Sequence, residues 1–315
     1  MLKWPLMSNK GYLLDMDGVI YRENQLIPGA AELVKTFQAN YIPFLFLTNN
    51  SAPAPEDLVV KLHHLGISDL SPRYFYTSAM NTADFLAETH PRCTAFVVGE
   101  AGLTSALNNA KIANDNIAPT YVVIGEGTFS AEKLYKAHQL IEAGSRLVVT
   151  NPDNWCPVGE GKTRPGAGAV TAFLEASTGV RAYYLGKPNP YMFTQASKRL
   201  SAQCKRNLDE VIMVGDTMET DIRGAIECGI QAYLVLTGST ALEHMGDYVY
   251  QPTRVMDSIV DLLEEIKTGQ PSDRRSSPAM TAIKRAGILK GKAGRRHQTD
   301  GQAFVSQRRR PHMTG

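Results

Sequence analysis

The sequence predicts an α/β protein, a Rossmann-like parallel sheet with a second α/β unit inserted into it, and three observations lead there. Four short apolar runs, at 12–14, 42–47, 182–185 and 211–214, each stop at a polar or charged cluster: Asp15, Thr48, Gly186-Lys187 and Gly215-Asp216. Uninterrupted runs of this length suit strands covered on both faces, the habit of a parallel sheet. Between the first two, Ala30, Leu33, Val34 and Phe37 fall at i, i+3, i+4 and i+7 and predict an amphipathic crossover helix. A βαβ unit follows. In open sheets of this kind ligands bind beyond the carboxyl ends of the strands, so the four clusters are expected to share one crevice.

The inserted unit has runs of its own at 95–98, 121–124 and 147–149, which end at Gly99-Glu100, Gly125-Glu126 and Asn151-Pro152-Asp153. Leu134, Ala137 and Ile141 keep helical spacing before Gly144, which serves as a C′ stop. The predicted division is residues 1–80 with 184–268 as the core, 81–183 as the insert, and 269–315 as a tail. Leu262, Leu263 and Ile266 mark a final helix. Beyond it the chain is rich in Arg, Lys, Ser, Gly and Pro without apolar periodicity, so it cannot offset its ordering entropy and is expected to be disordered. Any nucleic-acid contact is confined to that tail, where basic side chains can meet a phosphate backbone.

At 315 residues, 43% hydrophobic and 20% charged, the composition is that of a two-domain globular protein. No run of about 18 apolar residues offers a membrane span, and the first ten residues lack the apolar segment of a secretory signal, which predicts a cytoplasmic protein. Cys93, Cys156, Cys204 and Cys228 are scattered without zinc-type spacing and read as reduced, structural thiols. The net charge of +2 hides an asymmetry. The last 45 residues hold 11 basic and 2 acidic side chains against 33 and 31 in the whole chain, so the body balances at −7.

Asp15 and Asp17, two carboxylates at i and i+2 after a buried strand, form a dense negative site suited to a hard cation, and Mg²⁺ is the natural occupant. Asp216 and Asp221 bring more carboxylate to the same sheet edge from another strand. His63, His64 and His138 fall on helices and read as non-catalytic; Trp155 and Cys156, near the Asn-Pro-Asp turn, are left open as substrate contacts. Gly166 and Gly168 serve backbone geometry, because no P-loop lysine follows them.

The motifs Asp15-x-Asp17-Gly18-Val19, Thr48-Asn49-Asn50-Ser51, Gly186-Lys187-Pro188 and Gly215-Asp216-x-x-x-Thr220-Asp221, in this order, resemble the four motifs of the haloacid dehalogenase (HAD) superfamily. Asn151-Pro152-Asp153, Pro165-Gly166-Ala167-Gly168 and the segment 76–86 resemble its NagD-like phosphatases, and the likeness spans about residues 10–266. The resemblance implies a HAD core with an inserted cap. It implies Asp15 as a nucleophile that forms an aspartyl-phosphate, and Asp17 as the acid and then the base. It implies Mg²⁺ on Asp15, the Asp17 carbonyl and Asp216, with Asp221 behind them. Thr48, Asn49 and Lys187 would hold the phosphate, and the loop Thr217, Met218, Glu219 and Thr220 would border the substrate. The implied substrate is a small phosphorylated metabolite, with UMP-like nucleoside monophosphates favoured; 4-nitrophenyl phosphate, phosphoglycolate and pyridoxal phosphate are the alternatives. A homo-oligomer is compatible with all of this. From a different class, Asp15 could be a regulatory phosphoacceptor in a protein that docks RNA through its tail, but Asp17 argues against preserving the acyl phosphate.

Overall fold

Apolar runs beside polar clusters form strands here because a main chain inside an apolar layer must pair its N–H and C=O groups with a neighbour. The computed structural model describes residues 9–159 and 161–270; the expectations for the first eight residues and for the basic tail after residue 270 lie outside them. The chain opens with β1 (Lys10–Leu14), the hairpin β2 (Tyr21–Arg22) and β3 (Gln25–Leu26), α1 (Ala30–Ala39), β4 (Phe44–Thr48), α2 (Pro55–Leu65) and β5 (Phe75–Thr77). Helix α3 (Ser78–Thr89) leads into β6 (Thr94–Val98), α4 (Ala101–Asn109), β7 (Ala113–Asn114), β8 (Tyr121–Ile124), α5 (Ala131–Glu142) and β9 (Arg146–Val149). The antiparallel pair β10 (Trp155–Gly159) and β11 (Lys162–Pro165), α6 (Ala167–Thr178) and β12 (Tyr183–Tyr184) follow. The chain returns through α7 (Pro190–Cys204), β13 (Glu210–Gly215), α8 (Arg223–Glu227), β14 (Gln231–Val235), β15 (Arg254–Met256) and α9 (Ile259–Thr268).

Two parallel sheets result. The first has the order β15-β14-β13-β1-β4-β5. The second has the order β12-β9-β8-β6-β7. Register decides what the first sheet presents at its edge: Leu14 lies beside both Val214 and Phe46, so Asp15, Asp216 and Thr48 emerge at nearly the same level. The predicted crossover helix is α1, and Ala30, Leu33, Val34 and Phe37 are its buried residues. Phe37 stacks on Tyr12 and also meets Phe44, so helix and sheet share an aromatic contact. Gly144, at φ +107°, follows α5 as expected.

One expectation about the first sheet is corrected. The run at 182–185 forms the edge strand β12 of the second sheet, where Tyr184 pairs with Val149 and Leu185 N–H continues the ladder to Val149 O. Tyr183 remains 48% exposed, so this apolar run is not a strand buried on both faces. An aromatic pair suits an edge strand as well as a central one, and composition does not say which sheet a run joins. Lys187 therefore reaches the first sheet from the second.

The two sheets are joined through the loop after β4. Ser51 is fully buried, and its hydroxyl accepts from Glu126 N–H at 2.7 Å and from the Thr150 hydroxyl at 3.0 Å, both beyond strand ends of the second sheet. Gly102 N–H, in the first turn of α4, donates to Ala52 O at 2.9 Å. A methyl group at Gly102 would sit 2.6 Å from that oxygen and run into the Pro53 carbonyl. Helix propensity favours Ala over Gly by about 1 kcal/mol, whereas forcing a carbon against backbone costs ~1–3 kcal/mol, so the clash wins. Gly102→Ala is expected to lower the urea midpoint at an unchanged slope; a raised midpoint would contradict this packing.

Candidate functional site

Lys187 leaves the end of the second sheet and runs inward until its ammonium lies 2.5 Å from Asp15 Oδ1, 2.6 Å from Asp221 Oδ1 and 3.1 Å from Leu47 O. All three of its protons are thereby used. The side chain is 3% exposed. Burial alone would lower its pKa, but the Asp15 and Asp221 carboxylates outweigh burial and hold it raised, so the ammonium stays charged.

The Lys187 backbone is gripped as firmly as its tip. Asn49 Oδ1 accepts from Lys187 N–H at 2.7 Å, while Asn49 Nδ2 donates to Lys187 O and to Asp153 Oδ1, each at 3.2 Å. The Asn49 carbonyl in turn accepts from Ser78 Oγ at 2.5 Å and Asn151 Nδ2 at 2.9 Å. One amide thus orients the lysine and ties it to the Asn-Pro-Asp turn.

Asp216 is buried, with Oδ1 accepting from the Thr217 hydroxyl at 3.1 Å and Oδ2 from Ser239 N–H at 2.6 Å. Gly18 faces it. With φ at +79° and Asp216 Oδ2 lying 2.6 Å from where a Cβ would stand, only glycine fits behind the paired aspartates. Asp17 is partly buried and accepts at Oδ2 from the Tyr21 hydroxyl at 3.3 Å.

Four carboxylates gather here: Asp15 and Asp221 pair with Lys187, and Asp17 and Asp216 stand beside them with Lys61 as the second nearby ammonium, an excess of negative charge in a mostly buried volume. Burial, reinforced by Asp221, pushes the Asp15 carboxyl well up, and burial also raises Asp17 and Asp221 against the pull of nearby lysines. Oxygen atoms of Asp15, Asp216 and Asp221 lie within 4.8 Å of one another. An all-oxygen, carboxylate-rich donor set of this size fits a hard divalent cation. Asp15 Oδ1 is held by Lys187, while its Oδ2 accepts no hydrogen bond from the described residues.

The sequence-predicted residues meet this centre unequally. Asp15, Asp17, Asp216, Lys187, Thr48 and Asn49 line the carboxyl edge of the first sheet. The Thr48 hydroxyl accepts from Asn50 N–H at 3.1 Å and keeps its own proton to donate. Asp221 does more than stand behind a cation: Oδ1 binds Lys187, and Oδ2 accepts from Thr217 N–H at 3.2 Å. In the substrate loop, Met218 turns inward: its side chain is fully buried in the protein, and its N–H donates to the Thr240 hydroxyl at 3.2 Å. Glu219 bonds the Tyr248 hydroxyl and Thr217 bonds Asp216, while the Thr220 hydroxyl has no hydrogen-bond partner among the described residues.

Three participants went unrecognised in the sequence: Ser51, Asp153 as a partner of Asn49, and the buried Glu126. Glu126 accepts from Ala167 N–H at 3.0 Å and from the Cys156 thiol at 2.7 Å, and it pairs with Arg164 at 3.2 Å, so it anchors the β10–β11 hairpin. That use accounts for Cys156, whose thiol burial and Glu126 push up and keep protonated. Trp155 is 57% exposed. The only signal for these residues was the habit of placing polar groups just after buried strands.

Comparison with known proteins finds relatives for most of the chain. Residues 12–113 match the family described as haloacid dehalogenase-like hydrolase, and residues 184–262 match a HAD-hydrolase-like family. The dihydroxyacetone phosphatase of Corynebacterium glutamicum (strain R) is 39% identical over 257 residues, covering 81% of this chain and 91% of that protein. The ribonucleotide monophosphatase NagD of Escherichia coli K12 is 32% identical over 257 residues, covering 81% of this chain and 99% of its own. The crystal structure of a 4-nitrophenylphosphatase from Thermotoga maritima superposes with a TM-score of 0.74 at 32% identity, covering 81% of this chain and 96% of that one.

Two outcomes are expected from the geometry. Lys187→Met strands Asp15 and Asp221 as buried carboxylates and should cost about 3–5 kcal/mol in urea unfolding, part of which the double change with Asp221→Asn should restore. Burial raises the Asp153 carboxyl from 3.8 to about 6, against the pull of Lys187 and Asn49. A carboxyl raised on folding contributes stability below its unfolded pKa and loses it as pH rises through the folded one. Asp153→Asn should therefore gain on the wild type between about pH 4 and about pH 7, and a pH-independent difference would refute the assignment.

Proposed function

We propose, from the premise that this chain belongs to the haloacid dehalogenase-like hydrolases and to their NagD-like branch, that Asp15 is the nucleophile with which it opens phosphate monoesters. The chain is a phosphatase, and phosphomonoesters are its substrate class. The observation that carries the role of Asp15 is the asymmetry of its carboxylate: Lys187 holds Oδ1, and Oδ2 is left without a hydrogen bond at the open edge of the sheet. Held this way, Oδ2 attacks phosphorus as the alcohol departs, forming an aspartyl-phosphate that water then hydrolyses. Asp17 gives its proton to the leaving oxygen and takes one from the water, a role typically worth ~10²–10⁴-fold. Burial, against the pull of Lys61, raises the Asp17 carboxyl above its ordinary value and so favours its protonated form.

The Thr48 hydroxyl and Asn49 N–H donate to nonbridging phosphate oxygens, and Lys187 adds positive charge beside them. Thr217, Glu219 and Thr220 border the substrate through backbone and polar atoms, with Met218 supporting the loop from behind. Asp15, the Asp17 carbonyl and Asp216 would hold Mg²⁺, and Asp221, already shared between Lys187 and Thr217, stands behind them. A bound Mg²⁺ supplies charge that offsets the carboxylates and the phosphate dianion. Residues from about 81 to 183 act as the cap that excludes water and selects the leaving group.

Nucleoside monophosphates of the UMP kind are the favoured substrates by likeness to NagD. Small three-carbon phosphates are the second reading, favoured by the 39% identity to the dihydroxyacetone phosphatase. A panel of UMP, dihydroxyacetone phosphate, phosphoglycolate, pyridoxal phosphate and 4-nitrophenyl phosphate, assayed with Mg²⁺ and with EDTA, separates them. EDTA should abolish turnover and Mg²⁺ restore it. Asp15→Asn should abolish turnover and the acid-stable phosphoenzyme together. A wild-type protein that takes one phosphoryl group and never releases it would instead be a phosphoacceptor.

A further inference from the structure

Tyr21 meets the Asp15–Gly18 loop twice. Its carbonyl accepts from Gly18 N–H at 2.8 Å and its N–H donates to Met16 O at 3.2 Å, so its backbone closes the loop that carries Asp17. Its hydroxyl donates to Asp17 Oδ2 at 3.3 Å from a ring that is 1% exposed. From α2, Lys61 places its ammonium 3.7 Å from the centre of that ring. Lys61 is half-buried and makes no hydrogen bond or ion pair among the described residues; the charge it senses is that of Asp17.

A carboxyl group turns easily about its last torsion, yet proton transfer needs one oxygen aimed at the leaving group within hydrogen-bond reach. Because the Tyr21 hydroxyl occupies Oδ2, Oδ1 is left as the oxygen that carries the proton. A cation over the ring face holds the ring in place, since the negative face of the π system attracts it. We propose that Tyr21, backed by Lys61, is the positioning residue that fixes the Asp17 carboxyl for proton delivery to a departing alkoxide. The proposal rests on the reading of Asp17 as the proton donor, and it ties this chain to esters of poorly leaving aliphatic alcohols, which need that proton most.

The test compares kcat/KM, which reports the steps through alcohol departure, for glycerol 1-phosphate and 4-nitrophenyl phosphate. An alkoxide needs a proton as it leaves; 4-nitrophenolate does not. Tyr21→Phe keeps the ring and removes only the hydroxyl, and should shift the ratio of the two kcat/KM values against the alkyl ester by about tenfold, a fraction of the ~10²–10⁴-fold that a placed proton donor supplies. Lys61→Met should shift it in the same direction by less. Parallel loss on both esters, as from a merely structural role, or no loss on either, overturns the proposal. Asp17→Asn separates the two failures. If it penalises the alkyl ester selectively while Tyr21→Phe does not, the Tyr21 assignment alone falls. If Asp17→Asn lowers both esters equally, the reading of Asp17 fails and the proposal falls with it.

Discussion

A buried ammonium between two buried carboxylates is the constraint on which the rest of this structure depends. Removing Lys187 from water is costly, and its attraction to Asp15 and Asp221 offsets that cost only because a third partner, the Leu47 carbonyl, completes its hydrogen bonds. Those partners follow β1, end β4 and follow β13, while the lysine follows β12 of the other sheet. The charge arrangement therefore specifies the register of three neighbouring strands and the approach of a fourth segment. A slip of one residue in β1 would turn Asp15 to the opposite face.

The same requirement explains why the two sheets are not independent bodies linked by a flexible tether. The loop after β4 provides Thr48 and Asn49 at the site, and Ser51 and Ala52 to the strand ends and helix of the second sheet. Asn49 closes the circuit by holding the backbone of Lys187 and the carboxyl of Asp153. A displacement of the second sheet would thus act on the loop that faces the phosphate. The excess of carboxylate over ammonium has a related consequence: a cation among these oxygens would offset their charge, while the raised pKa values of Asp15, Asp17 and Asp221 come first from burial, to which neighbouring carboxylates add.

Much of the site was legible because groups that perform chemistry at a sheet edge must follow buried strands, and a carboxylate after an apolar run stands out. Asp15, Asp17, Asp216 and Lys187 were visible for that reason. Asn49 was named as a backbone donor, but the work of its side chain was not visible, since an amide that clamps a residue 138 positions away leaves no local pattern. Ser51 and Asp153 are common turn residues whose partners come from other strands. Met218 shared the loop of its polar neighbours and faces inward, its N–H donating to the Thr240 hydroxyl. The run at 182–185 had a strand's composition and joined the other sheet, since a strand's own residues say little about its neighbour.

By itself the sequence determined what depends on local order: which runs would be strands, where α1 turns its apolar face, and which carboxylates stand at strand ends. Only the tertiary structure decided what depends on distance: that Lys187 arrives from the second sheet, that Asp221 shares it with Asp15, that Tyr21 grips Asp17, and that Ser51 fastens one sheet to the other. Strand and helix formation reflects periods of two to four residues that are written along the chain, whereas electrostatic and hydrogen-bond partners are set by strand order and register, which no short window of sequence contains.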